Sequence, residues 1–385
     1  MMRCFDMKKF SIILCAALVI LTITVTAQTK YNRYNLSCII DGDTMRVSGH
    51  CTFADRYKAP KYLLLWENIK IKSLSVGNYR RNGDTITFSR HPYQITFDYA
   101  IPLNPYRGYD GAVGLRYEGN WYPHRNNELL KANVSIKNAE GYYQVGGSQT
   151  VPSFDLYLIL LPKDQYDYKA IDSIVRPFRF YRSKSSTLTP PDAYYNEFVE
   201  SYTFYSTFFG DTLSQQPMNV VELGDPLFLM CQSLRDLILF GPYFYQIYRV
   251  NPDYPWISHE MAHQWWGNSI FFEYRDYALS ESIPQYIKLQ FLKYCGRGYD
   301  KEMVHIVTTM QQARRSLPIA DIRDITPIDA SIAIYQTAPY RLEQMDAEIV
   351  HAALKKLYRK HKHSIVSREV FIRECPALQD WLMSK

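Results

Sequence analysis

His259, Glu260 and His263 stand in the run HEMAH, and 17 residues lie between His263 and a further carboxylate, Glu281. Histidines four apart stand one turn above each other on a helix, so both imidazoles can reach one ion. Glu260, about 100° further round, can reach a water beside that ion but is badly placed to ligate it. Ile257, Met261, Ala262, Trp265 and Trp266 are apolar and would bury the far side of the same helix. With Glu281 added, the set becomes His, His, Glu and an open position, the layout of a catalytic zinc site. The alternative is a pair of histidines on a solvated helix face, since H-E-x-x-H arises by chance in roughly one in a hundred chains of this composition.

Such a site needs two packed helices. The spacing predicts one over PWISHEMAHQWWG and another over ESIPQYIKLQFLKYCG. Ser280 or Ser282 would cap the second, and Pro284 would sit in its first turn, where a missing N–H is harmless. Further helical periodicity runs through AYYNEFVESYTFYSTFFG, KEMVHIVTTMQQARRSL and DAEIVHAALKKLYRKHKH, with one strand-like run, PMNVVEL, among them. Upstream the texture differs. TMRVSGHCTF, KYLLLWENIKIKSLSV, DTITFS, YQITFDYAI and DLYLILLP alternate apolar and polar residues, and Asp41-Gly42, Asn82-Gly83 and Asn104-Pro105 mark turns between them. An α+β chain follows, with an antiparallel β-sheet domain over residues 28–165 and a mostly helical domain over 166–385.

At 385 residues, 47% hydrophobic and 15% aromatic, the chain can bury two cores. Residues 1–27 read as a secretory signal: Lys8 and Lys9 precede FSIILCAALVILTITVTA, with Val25 and Ala27 as small residues before a cleavage point. This places the protein in the periplasm or outside the cell, or on a membrane if the apolar run stays as an anchor. Arg3, Lys8, Lys9 and Asp6 account for +2 of the net charge of +6; the remaining +4 argues against a nucleic-acid partner. Of seven cysteines, Cys4 and Cys15 fall in the signal, so the other five cannot all pair. Cys38 and Cys51 are not symmetric about Gly42-Asp43, so a tight hairpin would not set them opposite each other.

HEMAHQWWGN followed by ALSE resembles the aminopeptidase N family of gluzincin zinc metallopeptidases, whose pattern is similar to HE-x-x-H-x-W-x-G-N and then L-N-E-G. WYPH at Trp121–His124, and FYSTFFGDTL before PMNVVEL, also look like that family. The resemblance covers most of the chain beyond the signal. It implies a thermolysin-like catalytic domain and one zinc ion held by His259, His263 and Glu281. It also implies peptide substrates, with Glu260 as general base towards a zinc-activated water, and an oxyanion-binding tyrosine, for which Tyr335 in IAIYQTAPY is the better match and Tyr340 the next. Asp276 is implied as a supporting residue or a loop or capping residue.

The chain departs from the pattern in three places. The interval before Glu281 is one residue short, Ser282 replaces a glycine, and the family's G-x-M-E-N motif finds its nearest match in FLMCQ. There Met230, Cys231 and Gln232 would meet the substrate, with Cys231 standing where the family has the glutamate that anchors a free amino terminus. The expectation is an aminopeptidase-like zinc peptidase, with an endopeptidase on the same zinc site or a catalytically idle peptide-binding module as alternatives.

Overall fold

Alternation decides the first half of the chain. β1 (Asn32–Asp41) buries every second residue, and so does β7 (Gln94–Pro102), so each strand gives one face to a core and one to water. A computed structural model describes residues 31–54, 60–186, 190–224, 231–241, 244 and 256–384. The signal-like residues 1–27 and Met230 lie outside the described residues.

β1 turns through Gly42-Asp43 into β2 (Thr44–Thr52), with Asp41 opposite Thr44. β3 (Tyr62–Leu64), β5 (Tyr79–Asn82) and β6 (Thr85–Phe88) form a small sheet in the order β3-β6-β5. β4 (Lys70–Leu74) joins β7, and β9 (Leu130–Lys137) joins β1, giving a five-stranded sheet β4-β7-β2-β1-β9. All its pairings are antiparallel except β1 with β9, which run parallel. A third sheet, β10-β11-β8, is built from β8 (Val113–Leu115), β10 (Tyr142–Gly146) and β11 (Leu158–Pro162). Cys38 faces Val47 and Cys51 faces Tyr34 across the hairpin, and Cys38, Cys51, Cys231, Cys295 and Cys375 are all free thiols.

The second half opens with a sheet that sequence periodicity shows only at PMNVVEL. β12 (Tyr166–Ile171), β13 (Phe178–Ser183), β14 (Met218–Glu222), β15 (Cys231–Leu234) and β16 (Leu237–Phe240) lie in the order β12-β13-β14-β16-β15. β13, β14 and β16 are parallel, with β12 and β15 antiparallel at the edges. The central strands are covered on both faces, so LILF in β16 is apolar at every position. Ile238 and Phe240 enter one core and Leu237 and Leu239 another. The second of these cores also holds Val145, Tyr157 and Ile159, which joins the first half of the chain to the back of this sheet. The first is filled by α1 (Asp192–Phe209), whose Tyr194, Phe198, Tyr202, Tyr205 and Phe209 recur at helical spacing on its buried side.

Helices build the rest: α2 (Trp256–Ala262), α3 (Tyr277–Cys295), α4 (Tyr299–Met310), α5 (Ile328–Ile332), a π-helical turn at Ala333–Thr337, α6 (Ala338–Glu343), α7 (Ala347–His361), α8 (Arg368–Glu374) and α9 (Gln379–Met383). Asp346 caps α7 by accepting from the Glu348 N–H at 2.9 Å. A two-residue ladder, β17 (Phe271–Phe272) with β18 (Ile365–Val366), ties the loop after α2 to the end of the chain. No helix among the described residues is long and apolar enough to cross a membrane.

α3 corrects the expected start of the second helix. It opens at Tyr277 with Asp276 as its N-cap residue, so neither Ser280 nor Ser282 is the cap and Pro284 lies well inside. Ser280 Oγ instead donates back to the Tyr277 carbonyl at 2.7 Å, a mid-helix habit of serine. Asp276 is tied to α8, accepting from the Arg368 side chain at 2.7 Å and its N–H at 3.1 Å. This buried ion pair, absent from any local sequence pattern, holds the residue from which the helix starts, a turn earlier than expected.

Candidate metal centre

The two helices that carry the motif meet inside the core filled by α1. Ile257, Met261, Ala262, Trp265 and Trp266 are all fully buried, as an amphipathic reading of α2 requires. Trp266 Nε1 donates to the Leu279 carbonyl of α3 at 3.0 Å, and Tyr205 Oη on α1 donates to the Ser258 carbonyl at 2.8 Å. α2 is thereby held from both sides, two residues from Glu281 on one and one residue from His259 on the other.

His259, His263 and Glu281 converge. Nε2 of His259 lies 3.1 Å from Nε2 of His263, and Glu281 Oε2 lies 3.5 Å and 3.4 Å from the two nitrogens. Zinc bonds of about 2.0–2.1 Å at tetrahedral angles put ligand atoms about 3.3 Å apart, so the three atoms fit one zinc ion. They are the one such group of His, Cys, Asp or Glu among the described residues. His263 Nδ1 lies 3.1 Å from the Trp266 carbonyl. In the neutral ring, donating there leaves Nε2 with a lone pair towards the site, as metal-bound histidines are commonly oriented. Glu273, the other acid in the shortened loop, pairs with Arg275 at 2.6 Å and takes no part.

Burial sets the protonation states. Desolvation pulls His259 down to about 4, which keeps it neutral. Burial acts the same way on His263, but the Glu281 carboxylate outweighs it and holds the imidazole up at about 9. Burial likewise opposes the charge on Glu281, yet His263 and His259 hold it well below the usual carboxylate range. Glu260 is pushed up to about 7 by desolvation, with His263 working against the shift and Glu281 adding to it. A carboxyl group at that value can take and return a proton at neutral pH.

These groups line a cavity of about 580 Å³ together with Cys231, Gln232, Tyr277 and Tyr335. Cys231 and Gln232 stand on β15, an edge strand of the sheet β12-β13-β14-β16-β15, and burial pushes the Cys231 thiol well up. Gln232 Oε1 accepts from Arg116. Tyr335 comes from the π-helical turn, a feature frequent at functional sites, and its hydroxyl donates to Glu281 Oε2 at 3.1 Å. Tyr340 is not among the residues lining the cavity. The buried residues Trp121 and His124 belong to the first half of the chain: Trp121 packs in its core, and neither lines the cavity.

Three contributors went unseen in the sequence. Tyr277 stands one turn before Glu281 with its hydroxyl 3.4 Å from that of Tyr335; the i, i+4 spacing would have found it had the helix start been placed correctly. Gln264 and Asn268 both donate to Ser233 Oγ, at 2.7 and 3.0 Å, and Gln264 also bonds the Leu234 carbonyl, pinning β15 beside Glu260.

No family model matches the chain, and no curated protein is similar to it in sequence. Its structure is similar to an M1 zinc metallopeptidase from Deinococcus radiodurans at a TM-score of 0.66 and 13% identity, covering 93% of each chain. The chain has the fold of the M1 zinc metallopeptidases. A mutant of the Deinococcus enzyme is known with the substrate Tyr-Ser-Ala bound. Legionella pneumophila aminopeptidase A, bound to aspartic acid, matches at a TM-score of 0.69 and 12% identity, over 94% of this chain and 50% of that one. Native yeast LTA4 hydrolase matches at 0.65 and 12%, over 92% and 67%.

Gly267 gives the geometry a test. Its φ of +118° suits glycine alone, and a Cβ there would sit 3.2 Å from His263 Nδ1, beside the bond that orients the ring. Gly267→Ala is expected to cost about 1–3 kcal/mol of stability and to weaken zinc affinity about tenfold or more, read by thermal unfolding and competitive zinc titration. Wild-type zinc affinity in that variant contradicts the role given to the glycine.

Proposed function

We propose that the protein is a zinc metallopeptidase in which His259, His263 and Glu281 hold one zinc ion and Glu260 is the general base. The observation that carries this reading is the tetrahedral fit of three converging ligand atoms beside a carboxyl group held at about 7. Zinc bound there supplies Lewis acidity, which polarises a carbonyl oxygen and lowers the pKa of water. Glu260 takes the proton from the attacking water and returns it to the departing amide nitrogen, so one carboxyl group serves as base and then as acid. Tyr335 remains a neutral donor, because burial and the nearby Glu281 charge push its phenol far up. Turned from Glu281 to a developing oxyanion, it would contribute about 3 kcal/mol, as other single donors do.

Peptide substrates suit the architecture. β15 is an edge strand, and an edge strand can align an extended chain. The Tyr-Ser-Ala held by the Deinococcus relative is such a ligand. With both histidines and both glutamates in place, the reading of an idle binding module has no observation in its favour.

Cys231 favours a second reading, an endopeptidase or a peptidase indifferent to the amino terminus. A free amino terminus is a cation, and taking it into a partly dry cleft is costly unless a carboxylate meets it. Cys231 lines the cavity where that carboxylate is expected, and its thiol is neutral. Glu222, a candidate substitute, does not line the cavity, and Asp225 lies outside the described residues.

Two experiments bear on these readings. Glu260→Gln is expected to retain zinc and lose most peptide hydrolysis, about a hundredfold or more, by metal analysis beside a peptide assay; undiminished turnover removes Glu260 from the mechanism. The wild type is expected to cleave a peptide and its acetylated form with similar kcat/KM, and Cys231→Glu to gain preference for the free amine. A hundredfold preference in the wild type, about 2.7 kcal/mol, means another acid anchors the amino terminus and the protein is an aminopeptidase.

A further inference from the structure

Glu281, Gln285 and Lys288 are spaced 4 and 3 apart on α3, so the helix face that presents the third metal ligand continues with an amide and an ammonium. Gln285 and Lys288 line the same cavity, as do Glu302 and His305 on α4 and Ser331 and Gln336 around the π-helical turn. This wall is wholly polar. The apolar lining, Phe154, Trp256 and Phe272, comes from other elements.

At its centre Lys288 Nζ lies 2.5 Å from Glu302 Oε1, with the two side chains only 3% and 7% exposed. Among the described residues this is the one hydrogen bond of the ammonium, and Glu302 Oε2 has no partner. Gln336 Oε1 is buried without a partner among the described residues. Both charges are therefore satisfied by each other only in part, and each keeps hydrogen-bonding capacity beside the cavity. Lys288 lies about 10 Å along the helix from Glu281, and side chains on a helix tilt towards its N-terminus, which swings the ammonium back towards the metal ligands. An extended chain covers about 3.3 Å per residue, so that separation is within reach of a substrate side chain no more than about three residues from the scissile bond.

We propose that the Lys288–Glu302 pair is the floor of a side-chain subsite selective for carboxamides, the side chains of glutamine and asparagine. The inference rests on the metallopeptidase reading. A carboxamide accepts from Lys288 through its oxygen and donates to Glu302 through its nitrogen, with no net charge. A carboxylate gains the ammonium but meets the Glu302 charge, and a cation meets Lys288; in a buried site neither repulsion is screened by salt. An apolar side chain leaves the remaining hydrogen-bonding capacity of both groups without water or partner.

The test uses zinc-loaded full-length protein and peptides carrying Gln, Glu or Leu at each position flanking the cleaved bond. The wild type is expected to prefer Gln over both Leu and Glu about tenfold or more in kcat/KM at one of those positions. Glu302→Gln, nearly isosteric, leaves a lone cation in the wall and should transfer the preference to Glu. Lys288→Met with Glu302→Leu should transfer it to Leu. Calorimetric binding of free L-glutamine, L-glutamate and L-leucine to the same proteins should give the same rankings without turnover. Absence of all peptide hydrolysis overturns the metallopeptidase reading and leaves the binding rankings to decide the subsite. Rankings unchanged in Glu302→Gln, whether by cleavage or by binding, overturn the subsite.

Discussion

Three ligand atoms from two helices meet within 3.5 Å of one another in a buried place, and most of the second half of the chain is arranged to keep them there. Desolvated lone pairs facing one point repel unless a proton or a cation sits between them. The packing that opposes this repulsion is aromatic and rigid. Trp265 and Trp266 are buried outright, Tyr202 and Tyr205 close on Trp265 with ring centroids 5.0 and 5.9 Å away, and the Trp266 indole grips the backbone of α3. Each such residue brings large apolar area at little cost in side-chain entropy, so α2 and α3 cannot drift apart to relieve the ligands.

The same dryness divides labour among the acids. Glu281, facing two imidazoles, stays charged; Glu260, one residue from His259 but turned towards β15, is poised at about 7. Glu302 faces the Lys288 ammonium at 2.5 Å. Three glutamates in one cavity thus hold three environments: one facing the ligand imidazoles, one suited to proton transfer, and one set in the far wall. The difference comes from position on the helices rather than from residue type, since each is the same carboxyl group with a different neighbour.

The convergence of His259, His263 and Glu281 was legible because helix geometry turns H-E-x-x-H into coordinates, and the shortened interval before Glu281 did not hide it: Glu273 is occupied by Arg275 while Glu281 faces the histidines. The alternating strands of the first half were legible for a similar reason, period two being a direct image of a half-buried sheet. β16 was not, because a strand covered on both faces shows no alternation. The start of α3 was misread for want of a long-range fact. Serine and proline near Glu281 look like a cap and a first turn, whereas the helix starts after Asp276, which is bound to Arg368 some ninety residues away. That error also hid Tyr277, and the Lys288–Glu302 pairing joins two helices that no local pattern connects.

The central claim is that His259, His263 and Glu281 form a zinc site, and the most direct measurement is the metal content and zinc affinity of the purified protein beside its Glu281→Ala and Glu273→Ala variants. The account predicts one zinc per chain in the wild type and in Glu273→Ala, and loss of tight zinc in Glu281→Ala. A wild type that binds no zinc, or a Glu281→Ala variant that holds it as tightly as the wild type, would contradict it.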